Sequence, residues 1–274
     1  MFPVLLSLGP VRIYTMGIFM FLGGLLGLYY WWKMGRDEHW EEIELFDGYF
    51  LAILLFLVVG RIGYVIPHWE EMGTFYRIVA VLAYPGMDYF WGILSSILFF
   101  HLFANSKAWD SWKVMDAISV SLSVVLLFGF MGVFFNGSGG GKEVAMGLVY
   151  PGLSGRRVPV ELFGMFFALF SLGITSRIRK EFRFYSWYKG ESSVAKDGLA
   201  SLAFLGLWGL FFTIRSFMVT GYAIGILPVQ LLLGIFMIVL AGVLVYKRVG
   251  RKLGKPEPLL ISRNRQRIKI RGGK

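Results

Sequence analysis

Cysteine is absent from this chain of 274 residues, and charged residues make up only 16% of it. The lack of thiols excludes disulfide bonds, thiolate catalysis, thiolate metal sites and a lipid-bearing N-terminal cysteine. Low charge together with 56% hydrophobic residues excludes a soluble domain of this size. The composition therefore predicts an integral membrane protein, and we expect neither a metal ion nor a cofactor.

Basic residues are also missing from Met1–Gly9, and no small-residue cleavage site follows the first long apolar run, so no cleaved signal peptide is expected. Apolar runs, by contrast, are abundant. Seven of them approach the ~20 residues that a helix needs to cross ~30 Å of hydrocarbon. The predicted spans are Ile13–Trp32, Leu45–Ile66, Tyr89–Ala104, Ala117–Asn136, Val160–Ile174, Leu199–Thr220 and Ile226–Tyr246.

The predicted fold is all-α, a polytopic membrane protein with about seven transmembrane helices and a small extracytoplasmic head segment. Residues 1–246 would form the transmembrane domain and residues 247–274 a basic cytoplasmic tail. Most of the 28 Lys and Arg residues fall on one side when the C-terminus is placed in the cytoplasm, as the positive-inside rule requires. We therefore expect a multi-pass protein of the plasma (inner) membrane with its N-terminus outside.

Two basic segments need a separate explanation. Residues 177–188 interleave basic and aromatic side chains, and residues 263–271 of the tail are denser in charge. Nucleic-acid binding is one interpretation, but anionic headgroups explain charge beside membrane spans more simply, at about 1 kcal/mol for each charge near the surface. The expected partner of these segments is the membrane, and no nucleic acid is expected.

Ionisable residues in or at the ends of the apolar runs include Arg61, Arg215 and Glu161. An arginine cannot shed its charge, and at the centre of a membrane helix it costs about 2.5–3.5 kcal/mol. Such residues usually face a protein interior or a watery cavity. We therefore predict one polar interior shared by these three residues, in which pairing or hydrogen bonding offsets part of the cost of burial.

A glycine-rich segment follows the fourth span, beginning at Asn136 and Gly137 and continuing through Gly141. It does not fit a phosphate-binding loop, because no Gly-Lys-Ser/Thr closes it and no strand precedes it. The remaining interpretations are a turn emerging from the membrane and the cover of a cavity.

Several short motifs occur in a fixed order along nearly the whole chain. They are Ser7–Val11 (SLGPV), Gly60–Val65 (GRIGYV), Pro85–Met87 (PGM), Phe135–Gly137 (FNG), Tyr150–Gly152 (YPG) and Val158–Phe163 (VPVELF). In these motifs and their order the chain resembles the prolipoprotein diacylglyceryl transferase family. The resemblance implies transfer of the diacylglyceryl group of phosphatidylglycerol to the thiol of a lipobox cysteine in a preprolipoprotein. The thiol belongs to that substrate, so an enzyme without cysteine is consistent with the reaction.

The resemblance also implies a site. Arg61, Arg215 and Glu161 become the candidate catalytic residues. Arg61 again and four others become the candidate substrate-binding residues: Tyr64, Asp88, Asn136 and Gly137.

The chain departs from the family pattern at several positions where that pattern carries functional side chains. Phe90 replaces a histidine, Phe130 and Phe212 replace arginines, Val133 replaces an asparagine, and Ser138 replaces an acidic residue. Two hypotheses follow. The chain is a divergent transferase, or it is an inactive homologue that binds phospholipid or a lipoprotein precursor as a scaffold or chaperone.

Overall fold

Seven long apolar helices dominate the computed structural model, which describes residues 3–8, 11–80, 83–84, 86–189, 197–219, 223–224 and 227–248. Each is long and apolar enough to span a membrane. The predicted all-α, polytopic fold is thereby confirmed. Residues 190–196 and 249–274, which carry much of the predicted basic charge, lie outside the described residues, as do Gly9, Pro10 and Pro85 of the family-like motifs.

The spanning helices begin and end close to the predicted runs. They are α1 (Thr15–Asp37), α2 (Glu42–Val65), α5 (Tyr89–Ser106), α6 (Ser111–Asn136), α7 (Val160–Lys189), α8 (Leu199–Met218) and α9 (Val229–Arg248). Two short helices, α3 (Trp69–Met72) and α4 (Phe75–Val79), lie between α2 and α5. The largest difference is at α7, which continues well past the predicted end at Ile174, because a helix that has left the lipid no longer needs apolar residues.

Short strands pair at one end of the bundle, an arrangement that the sequence did not predict. The antiparallel pairs are β1 (Val4–Leu8) with β2 (Val11–Tyr14), β3 (Glu143–Val149) with β4 (Arg156–Arg157), and β5 (Ala223–Ile224) with β6 (Leu227–Pro228). Since each span reverses the chain direction, these pairs and α3–α4 lie at the same end. We call it the hairpin end.

Helix α6 is the centre of the bundle and packs against α1, α5, α7 and α8, while α2 packs on α5 and α9 on α8. Glycine allows the close approach of α1 to its neighbours, as membrane helices commonly require. A side chain at Gly27 would lie 2.6 Å from the Tyr49 hydroxyl and from a Val125 methyl group. At Gly24, by contrast, a side chain would meet nothing within 4 Å.

A buried carboxylate caps α8 at the end opposite the hairpins. Asp116 of α6 is only 7% exposed. Its Oδ2 accepts a hydrogen bond from the Gly198 amide at 2.8 Å, and its Oδ1 accepts one from the Ser201 amide at 2.7 Å. These amides belong to the first turn of α8, which has no intrahelical partners for them. Asp116 therefore joins α6 to α8 by acting as a long-range N-cap.

We predict that Asp116→Ala lowers the free energy of unfolding by about 1–3 kcal/mol, because two buried amides lose their acceptor. Thermal unfolding in detergent micelles measures the change. The matched control is Asp110→Ala, which removes an exposed cap of α6 that accepts from the Trp112 amide at 2.8 Å. Equal losses in the two variants would contradict a special role for Asp116.

Candidate functional site

Arg61 lies in the last turns of α2 at the hairpin end and is only 5% exposed. Its guanidinium donates to three backbone carbonyls: Nε to Ile78 at 3.0 Å, Nη1 to Gly86 at 2.6 Å and Nη2 to Arg77 at 2.5 Å. Two of these carbonyls belong to the last turn of α4, where a helix leaves its carbonyls without intrahelical partners. Arg61 thus fastens the α4–α5 connection onto α2, and one N–H on each of its Nη atoms remains free of these bonds.

Tyr64 and Asp88 lie beside this contact. The Tyr64 ring centroid is 5.9 Å from the Arg61 Cζ atom and stacks on His68 at 4.3 Å. The Asp88 amide donates to the Gly60 carbonyl at 2.9 Å, and Asp88 Oδ1 caps α5 by accepting from the Phe90 amide at 2.9 Å. The structure therefore brings Arg61, Tyr64 and Asp88 into one group, which we call the α2–α5 cluster.

Glu161 is in the first turn of α7 and is 2% exposed. A helix N-terminus favours a negative charge at this position. Neither carboxylate oxygen has a hydrogen-bond partner among the described residues. A side chain at Gly139 would overlap the carboxylate. Glu161 is therefore a tightly packed, buried acid that has no hydrogen bond of acceptable geometry with a described residue.

The glycine-rich segment crosses from the end of α6 to the ends of α7 and α8. Gly137 ends α6 in a left-handed conformation, φ 71°, after the half-buried Asn136. The Gly141 amide donates to the Val158 carbonyl at 2.8 Å, and the Lys142 amide donates to the Met218 carbonyl at 2.7 Å. The segment is therefore a packed turn that covers Glu161. It combines the two interpretations offered by the sequence, a turn emerging from the membrane and a cover.

Tyr150 is a functional candidate that the sequence analysis placed in a motif but not among the site residues. It follows β3 directly, is 1% exposed, and its ring lies 3.1 Å from the position of a side chain on Gly140. Its hydroxyl has no hydrogen bond of acceptable geometry with a described residue. Burial, and then the neighbouring Glu161, raise the pKa of the phenol, so Tyr150 keeps its proton at neutral pH. In the sequence, the run of glycines against which Tyr150 packs was the available sign that a large side chain lies close to this segment.

Arg215 is half-buried in α8, one turn before Met218, and forms no hydrogen bond or ion pair with a described residue. Helices α7 and α8 pack against each other, so Arg215 and Glu161 lie on neighbouring elements at the hairpin end. The described residues contain no ion pair between them, nor one between either residue and Arg61. The hairpin end thus holds two polar groups: the α2–α5 cluster, and the Glu161 site formed by Glu161, Tyr150 and Gly139–Gly141, with Arg215 on the neighbouring helix α8.

Aromatic side chains fill the interior next to the Glu161 site. Phe130 of α6 stacks on Trp208 with ring centroids 6.0 Å apart and meets Phe211 edge-on at 5.6 Å. A side chain at Gly164 of α7 would lie 2.5 Å from the Phe130 ring. The position at which the family resemblance implies an arginine, residue 130, is thus part of an apolar core formed by α6, α7 and α8.

Seven spans and a partly unpaired polar site at one end define a multi-pass membrane protein whose buried polar groups are available for binding or chemistry. The chain belongs to the prolipoprotein diacylglyceryl transferase family, whose sequence model matches residues 3–247.

Individual relatives are more distant. The chain is 29% identical over 168 residues to the phosphatidylglycerol–prolipoprotein diacylglyceryl transferase of Agrobacterium fabrum, which covers 54% of this chain and 57% of that protein. With the protein of the same name from Legionella pneumophila strain Paris, identity is 27% over 176 residues, or 59% and 65% of the two chains. The one from Francisella tularensis subsp. mediasiatica is 29% identical over 200 residues, covering 66% and 72%. The matches thus span less than two-thirds of the first two relatives.

We predict that Arg61→Lys speeds amide hydrogen exchange in residues 75–80 and 86–88 at least about tenfold, because the donors of a compact ammonium group cannot reach the three carbonyls that the extended guanidinium fork reaches. Exchange mass spectrometry in detergent measures it. Arg36→Lys is the control, since Arg36 is exposed and its Nε lies 3.9 Å from Glu42. Unchanged exchange in Arg61→Lys would show that the three bonds do not hold the segment.

We predict that Gly139→Ala destabilises the protein by about 1–3 kcal/mol, because the new methyl group displaces the Glu161 carboxylate. Gly173→Ala is the matched control on α7, where a side chain meets nothing within 4 Å. That change should leave stability equal or slightly higher, since alanine suits a helix better than glycine. Thermal unfolding compares the two, and a neutral Gly139→Ala would contradict the tight packing.

Proposed function

We propose that this protein transfers the diacylglyceryl group of phosphatidylglycerol to the thiol of a lipobox cysteine in a preprolipoprotein. The observation that carries the proposal is the family match across residues 3–247, which includes every residue of both polar groups. The names of these relatives specify the same lipid and protein substrates. A new C–S thioether bond forms, the C–O bond to the phosphate breaks, and glycerol phosphate leaves with the oxygen and its electron pair.

Glu161 is the proposed acceptor of the thiol proton. The thiolate is the nucleophile in such a transfer, so a base must take the proton as the C–S bond forms. A carboxylate whose two oxygens have no donor among the described residues is available for that task. The substrate thiol would reach it beneath the Gly139–Gly141 segment.

Arg215 is the proposed stabiliser of the leaving phosphate. Its guanidinium forms no bond with a described residue, and it lies at the end of the bundle that carries Glu161. A charge-assisted hydrogen bond from arginine to phosphate is strong, and an apolar surrounding strengthens it further. The aromatic cluster of Phe130, Trp208 and Phe211 supplies that surrounding.

The α2–α5 cluster is proposed to shape the headgroup site. Arg61 holds the α4–α5 connection and keeps two N–H groups for a phosphate oxygen, while Tyr64 and Asp88 line the same end of α2 and α5. Asn136 and Gly137 contribute at the end of α6. In this role Arg61 acts mainly by positioning the backbone around the lipid.

We also propose that the hairpin end faces away from the cytoplasm, with the N-terminus outside and the C-terminus inside the plasma (inner) membrane. Basic residues near the opposite end support this orientation, because cytoplasmic loops carry an excess of Lys and Arg. The described ones include Lys33, Arg36, Lys107, Lys113, Arg177, Arg179, Lys247 and Arg248.

One observation favours the second hypothesis, a phospholipid-binding homologue without transferase activity. Phe130 occupies a position where the family resemblance implies an arginine, and its ring is fully engaged in the aromatic core. This function requires phosphatidylglycerol to bind at the hairpin end but no group to be transferred.

We predict that the purified protein in phosphatidylglycerol nanodiscs converts a lipobox peptide to its diacylglyceryl thioether, detected by mass spectrometry. Arg215→Gln should slow product formation about 100-fold or more, because the developing phosphate charge loses its donor. Arg36→Gln, which changes an exposed arginine outside both polar groups, should leave the rate unchanged.

Folded wild-type protein that retains phosphatidylglycerol through purification but forms no thioether would support the binding homologue instead. In that case, loss of the preference for phosphatidylglycerol in Arg215→Gln would show that the lipid binds near Arg215.

A further inference from the structure

The Tyr150 hydroxyl and the Glu161 carboxylate are two polar groups buried together without partners of acceptable geometry elsewhere among the described residues. Tyr150 is 1% exposed and Glu161 is 2% exposed. A buried polar group that makes no hydrogen bond costs about 1–3 kcal/mol, and a charged group costs more. Two such costs at one place call for a common explanation.

The two groups are chemically complementary. An ionised carboxylate only accepts hydrogen bonds, whereas a neutral phenol has one O–H to donate. Because burial and Glu161 both raise the pKa of the Tyr150 phenol, that proton stays in place over the neutral range. Arg157 of the same hairpin donates from Nη1 to the Gly141 carbonyl at 3.2 Å, its buried Nε has no hydrogen-bond partner, and it forms no ion pair with Glu161 among the described residues.

One hairpin carries both side chains. Tyr150 follows β3, and Glu161 follows β4 after only three residues. The strands hold the two connections together through the pairs Val149 with Arg156 and Leu148 with Arg157. The Val158 amide donates to the Lys142 carbonyl at 3.1 Å, and the Leu153 amide donates to the Tyr150 carbonyl at 3.2 Å. The backbone therefore fixes where each side chain starts.

The glycine segment closes the other side of the pair. A side chain at Gly139 would overlap the Glu161 carboxylate, and one at Gly140 would press on the Tyr150 ring at 3.1 Å. Consecutive glycines are thus required to bring the backbone against both groups at once. This close cover restricts how far the carboxylate can turn, so a single donor is enough to select its orientation.

We propose that Tyr150 is a positioning residue whose hydroxyl donates to the Glu161 carboxylate and holds it in the orientation that receives the thiol proton. The inference rests on the proposed function of Glu161 as that acceptor. Tyr150 itself touches no reacting atom. Its hydroxyl fixes one carboxylate oxygen and leaves the other free for the substrate.

The test compares Tyr150→Phe, Glu161→Gln and the double variant in the nanodisc assay. Tyr150→Phe should lower kcat about tenfold or more and leave KM for phosphatidylglycerol unchanged, because one hydrogen bond to a charged group is lost while the lipid contacts remain. Glu161→Gln should lower kcat further. The double variant should be no slower than Glu161→Gln, since the phenol acts only through the carboxylate.

The matched control is Tyr49→Phe, which removes another buried phenol hydroxyl. That hydroxyl donates to the Gly24 carbonyl at 2.9 Å between α2 and α1. It should lower thermal stability without changing kcat. Multiplying effects in the double variant, or a Tyr150→Phe effect confined to KM, would overturn the positioning role.

A second readout separates this inference from the transferase proposal. The infrared carboxyl band of Glu161, identified by its loss in Glu161→Gln, should shift in Tyr150→Phe and stay in place in Tyr49→Phe. Wild-type protein that forms no thioether but shows this shift would refute the transferase proposal and keep the Tyr150–Glu161 bond. A band that does not move in Tyr150→Phe overturns the inference, whatever the activity.

Discussion

Lipid offers no hydrogen bonds, so the polar groups in the spans of this protein must find their partners within the chain. Arg61 meets that constraint with three backbone carbonyls, and Asp116 meets it with two backbone amides. Each of these contacts also satisfies a helix terminus that would otherwise be left open. The charges that look anomalous in an apolar sequence are thus what connects one helix to the next.

Glu161, Tyr150 and Arg215 form the contrasting set, because the described residues provide them with no ordinary hydrogen bond. All three lie at the hairpin end, and two of them are almost completely buried. A structural charge gains nothing from remaining unpaired, whereas a group that must take up a proton or bind a phosphate needs unused bonding capacity. Unused bonding capacity at the hairpin end therefore makes Glu161, Tyr150 and Arg215 available for chemistry, whereas the paired Asp116 joins one helix to the next.

The seven spans were predictable because hydrophobic length is a local property, and every spanning helix overlaps most of its predicted run. The contacts of Arg61 could not be predicted from the sequence, since its acceptors lie 16–25 residues further along the chain. A helix C-terminus and a lipid phosphate attract the same guanidinium, so the sequence could show that Arg61 needs acceptors but not which ones. The strand pairs also escaped prediction, because β4 and β5 are only two residues long.

The aromatic core gives a structural context for the positions at which this chain departs from the family pattern. An arginine at position 130 would need acceptors between α6, α7 and α8, but Phe130 instead packs with Trp208 and Phe211 in an apolar contact. Lowering the local polarity strengthens the interactions of any charge that remains at its edge. An apolar interior is therefore compatible with the charges of Glu161 and Arg215 at the hairpin end. Fewer charges remain there, but water screens each of them less. The same low polarity makes the orientation of the Glu161 carboxylate important, because a misdirected buried charge has no solvent to compensate for it.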